Sequence, residues 1–200
     1  MAAAYPVPGG EPVAIDGRCF AYVFPCAWED HCKIGFSGDP LGRISALHPR
    51  WFGFFDLEAG MLVEAESIRD ARDLELELRA GLGEYNAPAP LAIRVPAGGH
   101  TEWFRGVQAL LVERVAALGA RGYRVYPLRP WLRAAMERRA DRLHEWTLSQ
   151  LSVEELEGMA GATPSQQRVR DVLDAFGALG IEVEPLLAPS VLGWYRGSSL

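Results

Sequence analysis

Two short runs dense in aromatic and β-branched residues, close together near the start of the chain, constrain the fold most strongly. The first spans residues 18–24 (RCFAYVF) and the second spans residues 32–36 (CKIGF), with a turn over 25–30 between them. We expect the two runs to pair as a β-hairpin. Side chains alternate between the two faces of a strand, so Tyr22 and Lys33 are expected on the same face of the sheet.

The chain after the hairpin alternates between predicted helices and strands. A helix over 40–47 has Asp39 as its N-cap and a proline in its first position. Residues 52–65 predict a third strand, and Ser67 is the N-cap of a helix over 68–82. The remaining elements of this part are an amphipathic helix over 105–118 and a short strand over 122–128. The fold class is therefore α+β, with a small, mainly antiparallel sheet of three strands flanked by helices.

The chain divides into three predicted regions. Residues 1–17 lack a basic segment and are broken by proline and glycine, which predicts a flexible leader and argues against a secretory signal. Residues 18–127 form the α+β domain. Residues 128–200 form a helical region of unknown role, with one arginine-rich helix over 129–148 followed by two helices that begin at a serine or threonine N-cap.

Composition and charge exclude several classes of protein. Hydrophobic residues make up 49% of the chain, which is enough for a packed core and argues against disorder. No apolar run approaches the roughly 20 residues that span a bilayer, so we expect no membrane contact. The net charge of −6 excludes a broadly basic surface, so any contact with nucleic acid must be local. Three cysteines without an export signal favour a cytoplasmic location.

Four pieces of the chain occur in an order and at spacings that resemble the GIY-YIG nuclease superfamily. They are AYVF, KIGFSGDPLGRISAL, ARDLELELRAGL and EWF, all within about residues 18–120. More narrowly, the chain is similar to the phage- and fungal-type branch, whose second signature reads Lys-Ile-Gly. The resemblance implies a small three-stranded sheet with flanking helices, one bound divalent metal and hydrolysis of phosphodiesters.

The resemblance also implies roles for individual residues. Tyr22 matches the tyrosine of the first signature, and Lys33 stands where the better-known second signature has tyrosine. Arg43 matches the arginine of the first helix, and Glu75 matches the metal-binding glutamate. Arg79 lies where many relatives have histidine. The downstream signature is matched by Glu102, Trp103 and Phe104, for which we expect pairing and packing within the fold.

Helix geometry sets Glu75 apart without reference to the family. At about 100° per residue, Glu75 falls inside the apolar arc of the helix over 68–82, whereas Glu77 falls outside it. A carboxylate on a packed face must be paired, protonated or bound to a metal. A single glutamate that leaves several waters on its metal suits Mg²⁺, with Mn²⁺ as a substitute. The alternative is that Glu75 lies at the rim of the arc and pairs with Arg43 or Arg79.

Three more residues suit phosphodiester hydrolysis. The planar guanidinium of Arg43 can grip a phosphate through two hydrogen bonds, and the alternative is a surface arginine that neutralises Asp39 or Asp56. A phenol near a cation and a metal ionises more easily, so Tyr22, tuned by Lys33, is expected to accept the proton of the attacking water. The alternative for Tyr22 is an ordinary half-buried aromatic of a strand.

A cluster of sulfur and nitrogen ligands in the hairpin raises the question of zinc. Its members lie within fourteen residues and are Cys19, Cys26, His31 and Cys32. Their spacing differs from a Cys-x₂-Cys knuckle, and Cys19 falls in the middle of a predicted strand. We therefore expect buried hairpin cysteines and no structural zinc.

The arginine-rich helix is a second candidate surface. Residues 129–148 contain five arginines and three acidic residues, a local net charge of +2 in a chain of −6. Arg133, Arg138 and Arg142, together with Arg79, are the candidate contacts to a nucleic-acid backbone. The alternative is a solvated helix with ion pairs three and four residues apart. A further possibility is that the C-terminal helices bind a protein partner.

The sequence thus predicts an Mg²⁺-dependent endonuclease that hydrolyses phosphodiester bonds, with DNA favoured over RNA as the substrate. Glu75 is expected to bind the metal, Arg43 the phosphate, and Tyr22 with Lys33 to prepare the nucleophile. The alternative is a nucleic-acid-binding or protein-interaction module on the same fold, with weak cleavage or none.

Overall fold

The computed structural model describes residues 18–94 and 102–197, together with the backbone of two short strands in the leader. These are β1 (Ala4–Tyr5) and β2 (Val13–Ala14), which pair antiparallel. The other residues of the leader lie outside the described part of the chain, so its predicted flexibility stays a prediction. The fold class is α+β, as predicted.

The predicted hairpin lies at the centre of the sheet. It consists of β3 (Cys19–Pro25) and β4 (His31–Ser37), and β5 (Met61–Ala65) lies beside β3. The edges are β6 (Trp103–Arg105) beside β4 and β7 (Val125–Pro127) beside β5. Over the described residues, the strands thus form a five-stranded antiparallel sheet in the order β6-β4-β3-β5-β7. The strand predicted over 122–128 is present as β7, whereas β6 was not predicted. The prediction of a three-stranded sheet was wrong because each edge strand joins the sheet by pairing with a neighbour distant in sequence.

The predicted strand over 52–65 is correct only in its second half. Residues Trp51–Phe54 form a short helix, α2, and the strand begins at Met61. Between them, the Asp56 carboxylate accepts hydrogen bonds from the backbone N–H groups of Glu58 and Ala59, both at 3.0 Å. This side-chain turn competes with extended backbone, which explains why the apolar run does not continue as one strand.

The two predicted helices that flank the hairpin are present with their predicted caps. In α1 (Pro40–Leu47), the Asp39 carboxylate accepts a hydrogen bond from the N–H of Gly42 at 2.9 Å. In α3 (Ile68–Arg79), the Ser67 hydroxyl accepts one from the N–H of Asp70 at 3.2 Å. The third helix, α4 (Gln108–Ala120), begins later than predicted because the chain just before it is in strand β6.

The sheet separates two different layers of packing. On one face, β3 and β4 contribute Ala21, Val23 and Ile34 to an apolar core that α3 and α4 cover. The other face is aromatic. Its ring pairs include Tyr22 stacked on Phe24 at 4.1 Å between centroids, Phe24 against Phe55 at 5.7 Å, and Phe20 against Trp131 at 5.2 Å.

The chain divides into two compact units, Met1–Ala134 and Ala135–Leu200. The division falls inside helix α5 (Leu128–Glu137), which begins at the boundary predicted from the sequence. The second unit contains α6 (Leu143–Gln150), α7 (Val153–Leu156), α8 (Pro164–Ala178) and α9 (Pro189–Gly197). As predicted, Ser152 and Thr163 cap α7 and α8, whereas α9 was missed. Among the described residues, every helix is too short or too polar to cross a bilayer.

The prediction of one arginine-rich helix over 129–148 was wrong. The helical run is interrupted by a single 3₁₀ turn, Ala140–Arg142, between α5 and α6. The N–H of Arg139 donates to the carbonyl of Met136, and the N–H of Arg142 donates to the carbonyl of Arg139. These hydrogen bonds span three residues, whereas those of an α-helix span four. Met136 and Leu143 are buried, but the residues between them are polar apart from one alanine, so the apolar stripe is broken where the helix ends.

Gly35 of β4 makes room for the Tyr22 side chain. The two residues are direct partners across the hairpin. A Cβ atom on residue 35 would lie 2.3 Å from the Tyr22 hydroxyl oxygen and 2.5 Å from its Cζ. Any larger residue would therefore have to displace the ring, which stacks on Phe24 and is fully buried.

Gly35→Ala is expected to lower the free energy of unfolding by about 1–3 kcal/mol, the usual cost of overpacking a core. Urea denaturation followed by circular dichroism would measure this change. Gly53→Ala is the matched control, because a Cβ at Gly53 meets no atom within 4 Å. Equal stability of the two variants would show that the Tyr22 ring can move at little cost.

Candidate active site

The hairpin presents Tyr22 and Lys33 on one face of the sheet, as predicted. Phe24 is two residues after Tyr22 on β3, and it faces Lys33 directly across the ladder. Both Tyr22 and Lys33 are buried, with only 1% of their surface exposed. The strands therefore hold a phenol and an amine on the aromatic side of the sheet, away from bulk water.

Arg43 of α1 contacts Tyr22 directly. Its Nε–H donates a hydrogen bond of 3.0 Å to the Tyr22 hydroxyl oxygen. The Asp39 cap and the proline in the first position start α1 at a residue that brings Arg43 to this face. A guanidinium held at Nε has its terminal N–H groups fixed in direction, which suits recognition of a planar or tetrahedral anion.

Lys33 forms an ion pair with Glu102. Its ammonium nitrogen lies 2.7 Å from Glu102 Oε2 and 5.9 Å from the centroid of the Trp103 ring. Pairing of β4 with β6 places Lys33 opposite Trp103, which brings Glu102 within reach. Trp103 and Phe104 are buried in the core and Glu102 pairs within the fold, as predicted for this triplet.

Glu75 lies on the buried face of α3, and its residue surface is 5% exposed. Glu77 is exposed, as the helical arc predicted. Arg79 Nη1 lies 3.3 Å from Glu75 Oε1 and 4.0 Å from Glu102 Oε1. The pairing of Glu75 with Arg79, one of the two alternatives for this glutamate, is therefore present.

Burial dominates the protonation behaviour of this cluster. It raises the pKa of Glu75 above the ordinary value of 4.5, although the nearby Arg79 cation acts in the opposite direction. It lowers the pKa of Lys33, against the favourable contact with Glu102. It also raises the pKa of Tyr22, more than the Arg43 cation lowers it. Desolvation of the phenolate thus outweighs the single Arg43 cation, and the easier ionisation expected beside a cation together with a metal stays a prediction.

The donor atoms of the cluster fit Mg²⁺ in type. Glu75 supplies a carboxylate and Glu102 a second one, with Arg79 Nη1 near both. Mg²⁺ binds through one or two carboxylates and keeps several waters, so it does not need a larger protein cage. Among the described residues there is no group of three or more histidine, cysteine, aspartate or glutamate side chains that could hold a metal. Glu75 and Glu102 are the residues that would hold Mg²⁺.

The hairpin cysteines are poor candidates for a zinc site. Cys19, Cys26 and Cys32 carry free thiols, and the last two are buried. Burial raises the pKa of both Cys26 and Cys32 to about 12, so these thiols stay protonated at neutral pH. Zinc binds the thiolate form, which burial makes costly here.

The predicted nucleic-acid contacts of the arginine-rich segment stay predictions. Arg133 and Arg138 are half-buried, and Arg142 is exposed. Arg133 belongs to the first compact unit, and Arg138 and Arg142 belong to the second. An open groove of about 960 Å³ lies elsewhere, beside β5, Arg124 and the start of α3, and none of the predicted site residues lines it.

Comparison of the chain with models of known protein families, with curated proteins and with solved structures gives no significant match in any of the three. The resemblance to the GIY-YIG superfamily therefore depends on the order and spacing of its motifs alone.

Sequence reasoning singled out every residue of the cluster, but it named only one of the contacts that join them, the pairing of Glu75 with Arg79. The members are Tyr22, Lys33, Arg43, Glu75, Arg79 and Glu102. The link between Lys33 and Glu102 spans 69 residues, and no local pattern indicates it. The available signal was the buried Lys33 itself, because a charged group on a packed strand requires a partner of opposite charge.

Glu75→Gln is expected to raise the free energy of unfolding at pH 7. A carboxyl whose pKa is raised by folding contributes its full stability below the unfolded pKa of about 4.5, and this stability is lost as the pH rises through the folded pKa. The glutamine amide does not ionise, so the variant does not lose this stability at pH 7. The difference in the free energy of unfolding between variant and wild type should therefore shrink as the pH falls from 7 to 4.5, as measured by urea denaturation at each pH.

Asp73→Asn is the control for this comparison, since Asp73 is exposed on the same helix. A Glu75→Gln variant that is less stable than wild type at pH 7 would contradict the interpretation, because the ionised carboxylate would then stabilise the fold.

Proposed function

We propose that this chain is an Mg²⁺-dependent endonuclease that hydrolyses phosphodiester bonds, with DNA favoured over RNA as the substrate. The activity is assigned to a GIY-YIG-like domain spanning residues 18–127. One observation carries the proposal. Two residues that the motif order singles out, Tyr22 and Arg43, share a hydrogen bond of 3.0 Å, and the charges of Glu75 and Glu102 act on the same phenol. Residues from β3, β4, α1, α3 and the approach to β6 thus belong to one electrostatic cluster.

The charge of the cluster supports an anionic substrate. Lys33, Arg43 and Arg79 supply three cations, against the two carboxylates of Glu75 and Glu102. The excess is positive although the whole chain has a net charge of −6. A phosphodiester would balance this local charge, which is the arrangement expected of a small contact with nucleic acid in an acidic protein.

Arg43 is the proposed phosphate-binding residue. Its Nε–H stays on the Tyr22 hydroxyl, and its guanidinium donates to the non-bridging phosphate oxygens, where charge builds up in the transition state. The neutral Tyr22 acts first as a positioning residue, since its stacking on Phe24 and its close approach to Gly35 fix the hydroxyl. Lys33 neutralises Glu102 and keeps that carboxylate in place.

The hydrolysis itself forms a bond from a water oxygen to phosphorus, and it breaks the bond from phosphorus to the leaving oxygen, which takes up a proton. When bound through Glu75, Mg²⁺ would stabilise charge on the phosphate and favour ionisation of the nearby water and phenol. Tyr22 is the proposed acceptor of the water proton after its phenol has lost its own proton to solvent. Forming this phenolate requires the added positive charge, because burial alone holds the phenol neutral.

Cleavage of labelled duplex, branched and single-stranded DNA is the direct test. Wild type is expected to cut in Mg²⁺ or Mn²⁺ at low salt and to lose activity in a chelator. Arg43→Ala should lower the rate on the order of 10²–10³-fold, the usual effect of a lost transition-state contact. Glu75→Ala should abolish metal-dependent cutting.

Arg69→Ala is the matched control, because Arg69 is an exposed arginine of α3 outside the cluster. Cutting that persists in Glu75→Ala would contradict the proposal and indicate a contaminant or a different site.

The contact between Tyr22 and Arg43 gives a sharper test. If Tyr22 acts mainly by orienting Arg43, then Tyr22→Phe lowers the rate, and the double variant Tyr22→Phe/Arg43→Ala is no slower than Arg43→Ala alone. Single-turnover cleavage rates of the four proteins measure this coupling. Additive losses would instead assign Tyr22 a role of its own, such as accepting the water proton.

A nucleic-acid-binding module with little cleavage is the second candidate. It is favoured by the ion pair of Arg79 with Glu75 at 3.3 Å, which places a cation of the protein against the proposed metal ligand. This candidate predicts DNA binding that depends on Arg43 and no cutting in any metal.

A further inference from the structure

We propose that the guanidinium of Arg79 occupies the cation position between Glu75 and Glu102, so that a divalent metal binds tightly only after Arg79 has moved from Glu75 to an incoming phosphate. This inference depends on the proposed function in two respects, the assignments of Glu75 as the metal ligand and of Arg43 as the phosphate-binding residue. It adds an order of binding that the proposed function does not contain, in which nucleic acid binds first and the metal then binds tightly.

The position of Arg79 is that of a bound cation. A single nitrogen, Nη1, lies 3.3 Å from Glu75 Oε1 and 4.0 Å from Glu102 Oε1, so it lies near both carboxylates. The other oxygen of Glu102 is held by Lys33 at 2.7 Å. Positive charge thus already faces Glu75, and a second cation at the same oxygens would meet electrostatic repulsion.

Arg79 is the member of this group best able to move. Its side chain is 36% exposed, whereas those of Glu75 and Lys33 are 7% and 1% exposed. Its contacts are also longer than the usual 2.7–2.9 Å or so of a charge-assisted hydrogen bond. Arg79 is also the last residue of α3. Burial therefore holds Glu75 in place, and the contact with Lys33 at 2.7 Å holds Glu102, whose side chain is 25% exposed, while the arginine can leave.

A phosphate is the partner that would draw Arg79 away. A guanidinium binds a phosphate through two parallel hydrogen bonds, a better match than one long contact to each of two carboxylates. Arg43 supplies a second guanidinium in the same cluster, held by Tyr22. A phosphodiester gripped by Arg43 would thus offer Arg79 a new counter-ion and leave the oxygens of Glu75 to the metal.

The first experiment measures Mn²⁺ binding to the whole protein without nucleic acid, by electron paramagnetic resonance of free Mn²⁺ and by calorimetry. Arg79→Gln is expected to bind Mn²⁺ on the order of 10-fold more tightly than wild type, because a like charge is removed from beside the ligand. Arg72→Ala is the matched control, since it removes an exposed arginine of the same helix whose charge also acts on Glu75. The double variant Arg79→Gln/Glu75→Gln lacks the metal ligand, so it should lose this gain and bind Mn²⁺ no more tightly than wild type.

The second experiment adds a short phosphorothioate oligonucleotide, after subtraction of the Mn²⁺ that it binds alone. By linkage, the oligonucleotide should tighten Mn²⁺ binding to wild type and tighten it much less in Arg79→Gln, where nothing has to be displaced. Equal tightening in both proteins would overturn the proposed displacement.

The inference is overturned if the Arg79→Gln variant binds Mn²⁺ no more tightly than the Arg72→Ala variant, whether both variants bind Mn²⁺ well or neither binds it. Arg79→Met repeats the test should the glutamine variant fail to fold, as judged by thermal unfolding. None of these measurements requires cleavage, so the two proposals can fail separately. A protein that cuts DNA while Arg79→Gln leaves the Mn²⁺ affinity unchanged would keep the proposed function and lose this inference.

Discussion

The antiparallel pairing of β3 with β4 is the constraint on which the rest of the candidate site depends. It sets Tyr22 opposite Gly35 and Phe24 opposite Lys33, so a phenol and an amine share one face. A register shift of one residue between β3 and β4 would place Tyr22 and Lys33 on opposite faces of the sheet. It would also expose the apolar side chains that α3 and α4 cover. The lack of a side chain at Gly35 then lets the Tyr22 ring lie flat over the strand, where its hydroxyl meets Arg43. The register of the hairpin therefore determines both the packing of the Tyr22 ring and its hydrogen bond to Arg43.

The charged groups of the site are held at a cost in stability. Burial disfavours the ionised forms of both Glu75 and Lys33, and each has a partner that offsets part of that cost, Arg79 for the first and Glu102 for the second. Such an arrangement is common where a fold keeps charge in place for a substrate. In this protein the two pairs share a guanidinium, since Arg79 lies near both carboxylates. A change in one of these ion pairs therefore alters the electrostatic environment of the other.

The predictions that held are the ones with local causes. Asp39 and Ser67 cap α1 and α3 because each side chain bonds an N–H group only three residues ahead, so the signal lies within one turn. Two of the failures arose where a local signal was ambiguous or interrupted. The first half of the predicted strand over 52–65 forms a helical turn and a loop instead, since the Asp56 carboxylate accepts a hydrogen bond from the backbone N–H two residues ahead. The arginine-rich segment breaks at Ala140–Arg142, where the apolar stripe has a gap.

The sequence by itself determined the periodicities: which face of α3 carries Glu75, which face of the hairpin carries Tyr22 and Lys33, and where α1 begins. These follow from helix and strand geometry, which repeats over a few residues. Only the tertiary structure decided which distant residues those side chains touch. Glu102 reaches Lys33, 69 residues away in sequence, because β6 pairs with β4. Arg79 reaches Glu75 within α3, four residues along the helix, but it lies near Glu102 because α3 packs on the same sheet. Contacts between distant segments depend on how the elements pack, and that packing is a property of the whole fold.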